Sequence, residues 1–303
     1  MREDGTTEAD RKERPPLGFV GIGLMGEAMT RRLLDCGWRI TVWNLEPERL
    51  QTVVPHGAAA AASPAAVAAA SDIVLMCVLH TEAVEACTFG ENGIASAARP
   101  PRLVIDMSTI DPEATRNFAA RLHKASGTGW IDAPISGGPD AARQGEMAVM
   151  AGGDTADAEL ARPIMKDLAA NFTVMGPVGA GQTTKMINQA IVGTGYVVMA
   201  EALALAERAG IDADMLPACL AGGHADSNLL KKLYPQMQQR AFEPPKSFAR
   251  QLLKDMKALS AFTKQFGLKL PVVEAAREQY TAHVENGNGM RDSAAIIDLY
   301  DKS

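Results

Sequence analysis

The chain of 303 residues is long enough for two domains with separate cores, and 47% apolar with 22% charged residues is typical of soluble globular proteins. A net charge of −6 argues against a nucleic-acid-binding surface, and no apolar run predicts a membrane span. Four scattered cysteines without a C-x-x-C pair and five dispersed histidines predict neither a disulfide framework nor a metal site. We therefore expect a cytoplasmic protein.

Three regions follow one another along the chain. Residues 1–14 mix acidic and basic side chains without an apolar centre, so we expect a flexible tail and not a targeting signal. In residues 15–178, short apolar runs alternate with Ala-rich helical segments, which predicts a parallel sheet covered on both faces. In residues 179–303 one helical segment follows another. The prediction is a Rossmann-type doubly wound α/β domain, joined by a long helix to an all-α domain.

The first predicted strand leads directly into the glycine-rich turn GIGLMG. Gly21, Gly23 and Gly26 have the G-x-G-x-x-G spacing: the first permits the tight turn, the second the approach of a pyrophosphate, and the third close packing of helix on strand. Leu24 and Met25 open the helix whose N–H groups would hold the phosphates. All five residues are predicted to bind a dinucleotide.

The second predicted strand ends at Asn44, where an acidic residue would bind the adenine ribose and repel a 2′-phosphate. Asparagine removes that repulsion, and Arg49 could reach the phosphate from the next turn. Leu45, however, stands where an arginine would complete a phosphate pocket, and Glu46 is nearby. The sequence therefore predicts NADP or NAD as the cofactor and slightly favours NADP.

Ligands of an open parallel sheet lie beyond the carboxyl ends of its strands. Val78 and Leu79 end the strand DIVLMCVL, and Thr109 ends the next strand, so we expect these three residues to face the cofactor. After a further strand, Ser136 and two glycines could bind a carboxylate through a hydroxyl and backbone N–H groups. The same segment would equally serve as a plain turn.

The predicted joining helix begins with GAGQTTKMINQ and has no charged side chain between Lys185 and Glu201. An unpaired lysine is costly to bury, so this single lysine needs a reason. Asn188 and Gln189 follow at i+3 and i+4, on the same face, so one ligand could contact all three side chains. The alternative is a lysine whose stem packs while its amine reaches solvent.

Together these motifs resemble the β-hydroxyacid dehydrogenase family, the group of 3-hydroxyisobutyrate dehydrogenase and tartronate semialdehyde reductase. The resemblance covers the chain from Leu17 to about Asp298. It implies that Lys185 is catalytic and that Lys254, in the segment FARQLLKD, contacts the cofactor. The substrate contacts that it implies are Ser136, Gly137, Gly138, Asn188 and Gln189. It also implies a homodimer or homotetramer and a small carboxylate-bearing substrate.

The resemblance implies NAD(P)-dependent interconversion of a small β-hydroxy acid and its semialdehyde or keto acid, such as 2-hydroxy-3-oxopropionate and glycerate, or 3-hydroxyisobutyrate and its semialdehyde. The nicotinamide would exchange a hydride with the carbonyl carbon while Lys185 exchanges a proton with the carbonyl oxygen. A reductase of succinic semialdehyde or glyoxylate is one alternative. A non-catalytic nucleotide sensor is another, which Lys185 and the Ser-Gly-Gly segment disfavour.

One departure from the family pattern concerns the substrate. The family often has asparagine four residues after the lysine, where this chain has Gln189, with Asn188 just before it. Glutamine keeps the amide group but extends it further from the backbone. We therefore expect a different substrate or a different substrate pose.

Overall fold

The computed structural model describes residues 14–301. The predicted tail, residues 1–14, lies outside the described residues except for Arg14. The Arg14 guanidinium donates a hydrogen bond of 2.7 Å to the carbonyl of Cys36 and lies 4.6 Å from the centroid of the Trp38 ring. Arg14 is therefore held against the first domain, one residue inside the segment predicted to be a tail.

The chain divides into two compact units, Met1–Lys185 and Met186–Ser303. The division falls inside the long helix, seven residues after the predicted domain boundary at residue 178. The first turns of that helix, with Lys185, thus belong to the first unit.

Within the described residues, the first unit contains one sheet of nine strands, with the order β3-β2-β1-β4-β5-β6-β8-β7 and β9 beside β8. The strands are β1 (Leu17–Val20), β2 (Ile40–Trp43), β3 (Ala59–Ala60), β4 (Ile73–Met76), β5 (Leu103–Asp106), β6 (Gly129–Asp132), β7 (Ile135–Ser136), β8 (Met147–Gly152) and β9 (Ala169–Gly176). Strands β1 to β6 are mutually parallel. The chain builds the sheet outward from β1, first to β2 and β3 on one side and then to β4, β5 and β6 on the other, which gives the predicted doubly wound topology.

The sheet departs from the all-parallel prediction at β8, which pairs antiparallel with β6 and β7 and parallel with β9. The connection from β7 to β8, residues 137–146, is shorter than the dozen or so residues that a parallel crossover requires. The chain therefore turns back on itself there, and the Ser-Gly-Gly segment lies in the turn.

Two apolar layers cover the sheet because successive side chains of a strand point to opposite faces. Phe19 and Leu75 belong to the core on one face, whereas Val20 and Val74 belong to the core on the other. The covering helices are α1 (Leu24–Asp35), α2 (Pro64–Ala69), α3 (Thr81–Phe89), α4 (Pro112–Ser126), α5 (Gly138–Gln144) and α6 (Thr155–Leu168). Both faces of the central strands are thus buried, as their continuous apolar runs predict.

The described part of the second unit consists of helices and connecting segments, as predicted. Its helices are the remainder of α7 (Ala180–Ala209), α8 (Leu216–Cys219), α9 (Tyr234–Gln238), α10 (Ala249–Lys264) and α11 (Pro271–His283), with 3-10 or π segments at Ala213–Met215, Leu229–Leu233, Val284–Asn288 and Ser293–Tyr300. Leu203, Tyr234, Met256 and Tyr280 are buried together in its core.

Helix α7 corrects the expectation that no segment could span a membrane. It has 30 residues and a mean hydropathy of 1.4 over its most apolar window, so it is long and apolar enough to do so. A core helix of a soluble protein has the same properties. In α7, Met186, Val197, Ala200 and Leu203 are buried in the core of the second unit, and 39% of its most apolar window is buried in the single chain.

Candidate active site

The glycine-rich turn between β1 and α1 is closely packed at Gly21 and Gly26 but open at Gly23. A Cβ atom at Gly26 would collide with the Gly21 carbonyl oxygen, and Gly21 has a φ of +98°, which side chains rarely adopt. A Cβ atom at Gly23 would meet no protein atom within 4 Å. The turn thus leaves space at the N-terminus of α1, where a pyrophosphate fits and where Leu24 and Met25 follow.

At the end of β2, the Asn44 side chain is used within the protein. Its Oδ1 accepts a hydrogen bond of 2.7 Å from the backbone N–H of Ile22, inside the glycine-rich turn. Its Nδ2 donates to the backbone carbonyl of Glu46 at 3.0 Å and to Glu46 Oε2 at 2.9 Å. Asn44 therefore holds the Glu46 carboxylate at the end of β2, while Leu45 is 76% exposed.

The ends of β4 and β5 are linked by side-chain hydrogen bonds. The backbone N–H of Val78 donates to Ser108 Oγ at 3.0 Å, and the backbone N–H of Ser108 donates to Asp106 Oδ1 at 3.0 Å. Leu79, the next residue after Val78, is exposed, and Thr109, after Ser108, is half-buried. Three of the predicted cofactor contacts, Val78, Leu79 and Thr109, thus lie at the carboxyl edge of the parallel strands.

Two buried carboxyl groups lie side by side at the same edge, because Asp106 on β5 is paired in register with Asp132 on β6. Burial raises the pKa of Asp106 to about 7, against the lowering effect of its hydrogen bonds with Ser108. Burial also raises the pKa of Asp132 to about 6, although backbone N–H groups, Gly179 and Gln182 among them, oppose the rise.

Asp132 and Gln182 attach the start of α7 to this edge. Asp132 Oδ1 and Oδ2 accept hydrogen bonds from the backbone N–H groups of Gly179 at 2.7 Å and Gln182 at 2.8 Å. The fully buried Gln182 side chain donates to the Ser108 carbonyl at 2.8 Å and accepts from the Ile110 N–H at 3.1 Å. The sequence analysis named neither residue. Asp132 could have been found, because it is the last residue of a strand in the segment WIDAP, and polar residues at the carboxyl ends of parallel strands are candidate site residues.

Lys185 lies one turn further along α7 and is only 7% exposed. Its Nζ donates a hydrogen bond of 2.8 Å to the backbone carbonyl of Ile135, the residue before Ser136. Gly137 and Gly138 follow with φ of +133° and +74°, and a Cβ atom at Gly138 would meet nothing within 4 Å. The structure therefore brings the predicted catalytic lysine to the predicted carboxylate segment.

The remaining predicted site residues form a polar chain within the second unit. Asn188 Nδ2 donates to Gln189 Oε1 at 2.8 Å, and Gln189 Nε2 donates to Asp255 Oδ2 at 2.6 Å. Lys254 Nζ lies 3.0 Å from Asp255 Oδ1. Gln189 and Asp255 are 6% and 9% exposed. The sequence placed Asp255 only beside Lys254 and gave no sign of its bond to Gln189.

Two family models match consecutive parts of the chain. Residues 16–176 match the NAD binding domain of 6-phosphogluconate dehydrogenase. Residues 179–300 match the family described as the NAD-binding of NADP-dependent 3-hydroxyisobutyrate dehydrogenase.

Individual proteins match over nearly their whole length. The chain is 34% identical to 2-hydroxy-3-oxopropionate reductase of Escherichia coli (strain K12), covering 93% of this chain and 95% of that protein. It is 31% identical to L-threonate dehydrogenase of Cupriavidus necator, covering 94% and 95%. The crystal structure of 3-hydroxyisobutyrate dehydrogenase from Salmonella typhimurium has a TM-score of 0.84 at 30% identity, covering 93% of this chain and 99% of that one.

Proposed function

Because this chain belongs to the β-hydroxyacid dehydrogenase family and is an NAD(P)-dependent oxidoreductase, we propose that Lys185 is its catalytic acid–base in the interconversion of a small β-hydroxy acid and its semialdehyde. The observation that carries the proposal is the Lys185 amine, buried and 2.8 Å from the Ile135 carbonyl at the Ser-Gly-Gly segment. That position puts a proton donor beside a segment suited to bind a carboxylate.

The first domain, residues 15–178 in our proposal, holds the cofactor. The adenosine diphosphate part would lie against the glycine-rich turn and near Asn44, and the nicotinamide near the residues that follow β4 and β5. When bound, the nicotinamide supplies or accepts the hydride. The proposed cofactor contacts are Gly21, Gly23, Leu24, Met25, Gly26, Asn44, Val78, Leu79, Thr109 and Lys254.

The chain's own residues would bind the substrate and move the proton. Ser136, Gly137 and Gly138 bind the substrate carboxylate, and Lys185 donates its proton to the carbonyl oxygen during reduction or takes it back during oxidation. The Ile135 carbonyl orients the Lys185 amine, and Asp132 and Gln182 fix the turn of α7 that carries it. A fixed proton donor is effective because it needs no reorganisation during the reaction.

The test is Lys185→Ala. We expect kcat to fall by a factor on the order of 10² to 10⁴, because the proton donor is lost, while the Kd for NAD(P)H stays within about threefold. Turnover is followed by cofactor absorbance with glycerate, 3-hydroxyisobutyrate, L-threonate, glyoxylate and succinic semialdehyde, and cofactor binding by fluorescence titration. Lys166→Ala, at an exposed lysine of α6, is the control.

Substantial activity in Lys185→Ala would remove Lys185 from the mechanism. Tight cofactor binding by the unaltered protein without turnover of any of these compounds would favour the nucleotide sensor instead.

We also propose that the protein is a cytoplasmic homodimer or homotetramer, with residues 179–303 serving the substrate and the association of subunits. Ile187, Ile191, Val198 and Leu205 lie on one face of α7 and are between 49% and 70% exposed in the single chain. Four large apolar side chains along one helix face are typical of a surface that another subunit covers.

A further inference from the structure

We propose that Asp106 releases a proton when the oxidised cofactor binds, so that its carboxylate attracts the positive charge of the oxidised nicotinamide ring. The inference rests on the proposed function, because that function puts the nicotinamide near the residues that follow β4 and β5. It goes further by coupling the binding of NAD(P)⁺, but not of NAD(P)H, to the release of a proton into solution.

Asp106 is the last residue of β5 and is linked to the end of β4. Its Oδ1 accepts a hydrogen bond of 3.0 Å from the backbone N–H of Ser108, and Ser108 Oγ accepts one of 3.0 Å from the backbone N–H of Val78. Val78 and Thr109, the residue after Ser108, are proposed cofactor contacts. A charge on Asp106 therefore lies at the edge of the sheet where the nicotinamide binds in the proposed function.

The neighbouring carboxyl group, Asp132 on β6, is the ionised member of the pair. Its two oxygens accept hydrogen bonds from the backbone N–H groups of Gly179 at 2.7 Å and Gln182 at 2.8 Å. A carboxyl group accepts fully at both oxygens only when it carries no proton. Burial raises the pKa of Asp132 only to about 6, so it is mostly ionised at pH 7. Asp132 thus puts a negative charge beside Asp106, its partner in register.

Asp106 is the member of the pair that holds a proton. It is fully buried, and its Oδ2 has no hydrogen-bond partner among the described residues. Ionisation would leave a charged oxygen unpaired in the core and close to a second carboxylate, which costs more than a neutral, protonated group. Burial, with a further contribution from Asp132, accordingly raises the pKa of Asp106 to about 7. Near neutral pH, a small change in the local potential therefore decides whether Asp106 keeps its proton.

The titratable groups that face Asp106 from the neighbouring elements do not offer it a positive charge. From β6 it is faced by the Asp132 carboxylate. From α3 it is faced by the Cys87 thiol, which stays neutral because burial, and then the charge of Asp106, raise its pKa to about 11. A cation that binds at this edge of the sheet therefore supplies what these two neighbours lack.

The two redox forms of the cofactor differ in the charge they bring. The oxidised nicotinamide ring carries one positive charge, whereas the reduced ring is neutral. A nearby cation favours the ionised form of a carboxyl group, so bound NAD(P)⁺ lowers the pKa of Asp106 and its proton passes to solvent. By linkage, the affinity for NAD(P)⁺ rises as the pH passes through about 7 and Asp106 loses its proton in the free protein. The affinity for NAD(P)H has no such dependence.

Isothermal titration calorimetry measures both consequences, with the oxidised and reduced forms of whichever cofactor, NAD or NADP, binds more tightly. We expect the ratio of Kd for the oxidised form to Kd for the reduced form to fall about fivefold to tenfold between pH 5.5 and pH 8.5. The ratio cancels effects common to both forms, such as titration of a 2′-phosphate. Near pH 6.5, two buffers of different ionisation enthalpy should show release of about half a proton per NAD(P)⁺ bound.

Three variants separate Asp106 from other groups. Asp106→Asn keeps the shape of the side chain but cannot ionise, so the fall in the ratio and the proton release should both be lost. Lys185→Ala should keep both, which excludes the Lys185 amine as the source of the proton. Asp35→Asn, the same change at an exposed acid of α1, should also keep both. If Asp106→Asn does not fold, Asp106→Ser takes its place as a smaller neutral side chain.

A ratio that stays constant with pH in the unaltered protein would overturn the inference, and so would a fall in the ratio that survives in Asp106→Asn. Loss of that fall in Lys185→Ala would assign the proton to Lys185 and also overturn it. All three results leave the proposed function standing. Absence of binding of either cofactor would overturn the inference and the proposed function together.

Discussion

Two glycines of the turn between β1 and α1 differ in their surroundings, since Gly23 faces open space and Gly26 packs against the Gly21 carbonyl. Single substitutions at the two positions should therefore have different effects. Gly23→Ala puts a methyl group where no protein atom lies within 4 Å, so the free energy of unfolding should not change. The affinity for NAD(P)H should fall by about tenfold or more, because the methyl group occupies space that the pyrophosphate needs. Gly26→Ala puts it on the Gly21 carbonyl oxygen and should cost about 3 kcal/mol of unfolding free energy.

Thermal unfolding and fluorescence titration of the two variants measure these effects. Unchanged cofactor affinity in Gly23→Ala would show that the phosphates do not approach this residue.

Glu46 decides the choice of cofactor in our interpretation of the end of β2. Its carboxylate, held by Asn44, suits a free ribose hydroxyl and repels a 2′-phosphate, opposite to the slight preference for NADP that the sequence predicted. We expect kcat/KM to favour NADH over NADPH by about tenfold or more, and Glu46→Gln to reduce that ratio. Glu48→Gln, at an exposed acid two residues away, is the control. A preference of the unaltered enzyme for NADPH would refute this assignment.

At the scale of elements, the buried Asp132 carboxyl group at the end of β6 supports the start of α7, and Asp106 is buried beside it at the end of β5. These two buried groups make stability depend on pH. Asp106 has a pKa raised by burial from an ordinary value near 4 to about 7. The folded state therefore holds a proton that the unfolded state has lost. This contribution to stability is complete below about pH 4 and is lost as the pH rises through 7; for Asp132 it is lost through about pH 6.

We expect the unaltered protein to lose, between pH 5 and pH 8, on the order of 2 kcal/mol of unfolding free energy relative to Asp106→Asn, which has no titrating group at position 106. Denaturant unfolding at each pH measures the difference, and Asp35→Asn, at an exposed acid, should show no such trend. A constant difference between the unaltered protein and Asp106→Asn would mean that Asp106 keeps an ordinary pKa in the folded state.

At the scale of the whole molecule, the exposed apolar face of α7 predicts association. The unaltered protein should elute in gel filtration with light-scattering detection well above the 32.1 kDa of one chain. Ile191→Lys combined with Leu205→Lys should shift it toward the monomer, because charges on a buried interface are costly. Phe266→Lys, at an exposed apolar residue outside α7, should leave the mass unchanged. A 32.1 kDa mass for the unaltered protein would contradict the proposal.

The sequence by itself determined the doubly wound α/β domain, the helical second part and the position of the dinucleotide turn. These features depend on local patterns: apolar runs of strand length, helical periodicity, and glycines whose spacing reflects the space around them. The sequence also singled out Lys185 as a candidate catalytic residue, because a single lysine at the start of an apolar helix is unusual and the surrounding motif resembles a known family.

Only the tertiary structure decided which polar groups meet. Asp132 and Gln182 attach α7 to strand ends from 47 to 74 residues away, and Asp255 reaches Gln189 across 66 residues. No local pattern encodes such pairs, because a carboxylate or an amide looks the same in sequence whether water or a distant backbone group satisfies it. The antiparallel pairing of β8 likewise depends on the short connection that follows β7. The position of the Glu46 carboxylate depends on its hydrogen bond from Asn44, which forms only when the chain has folded.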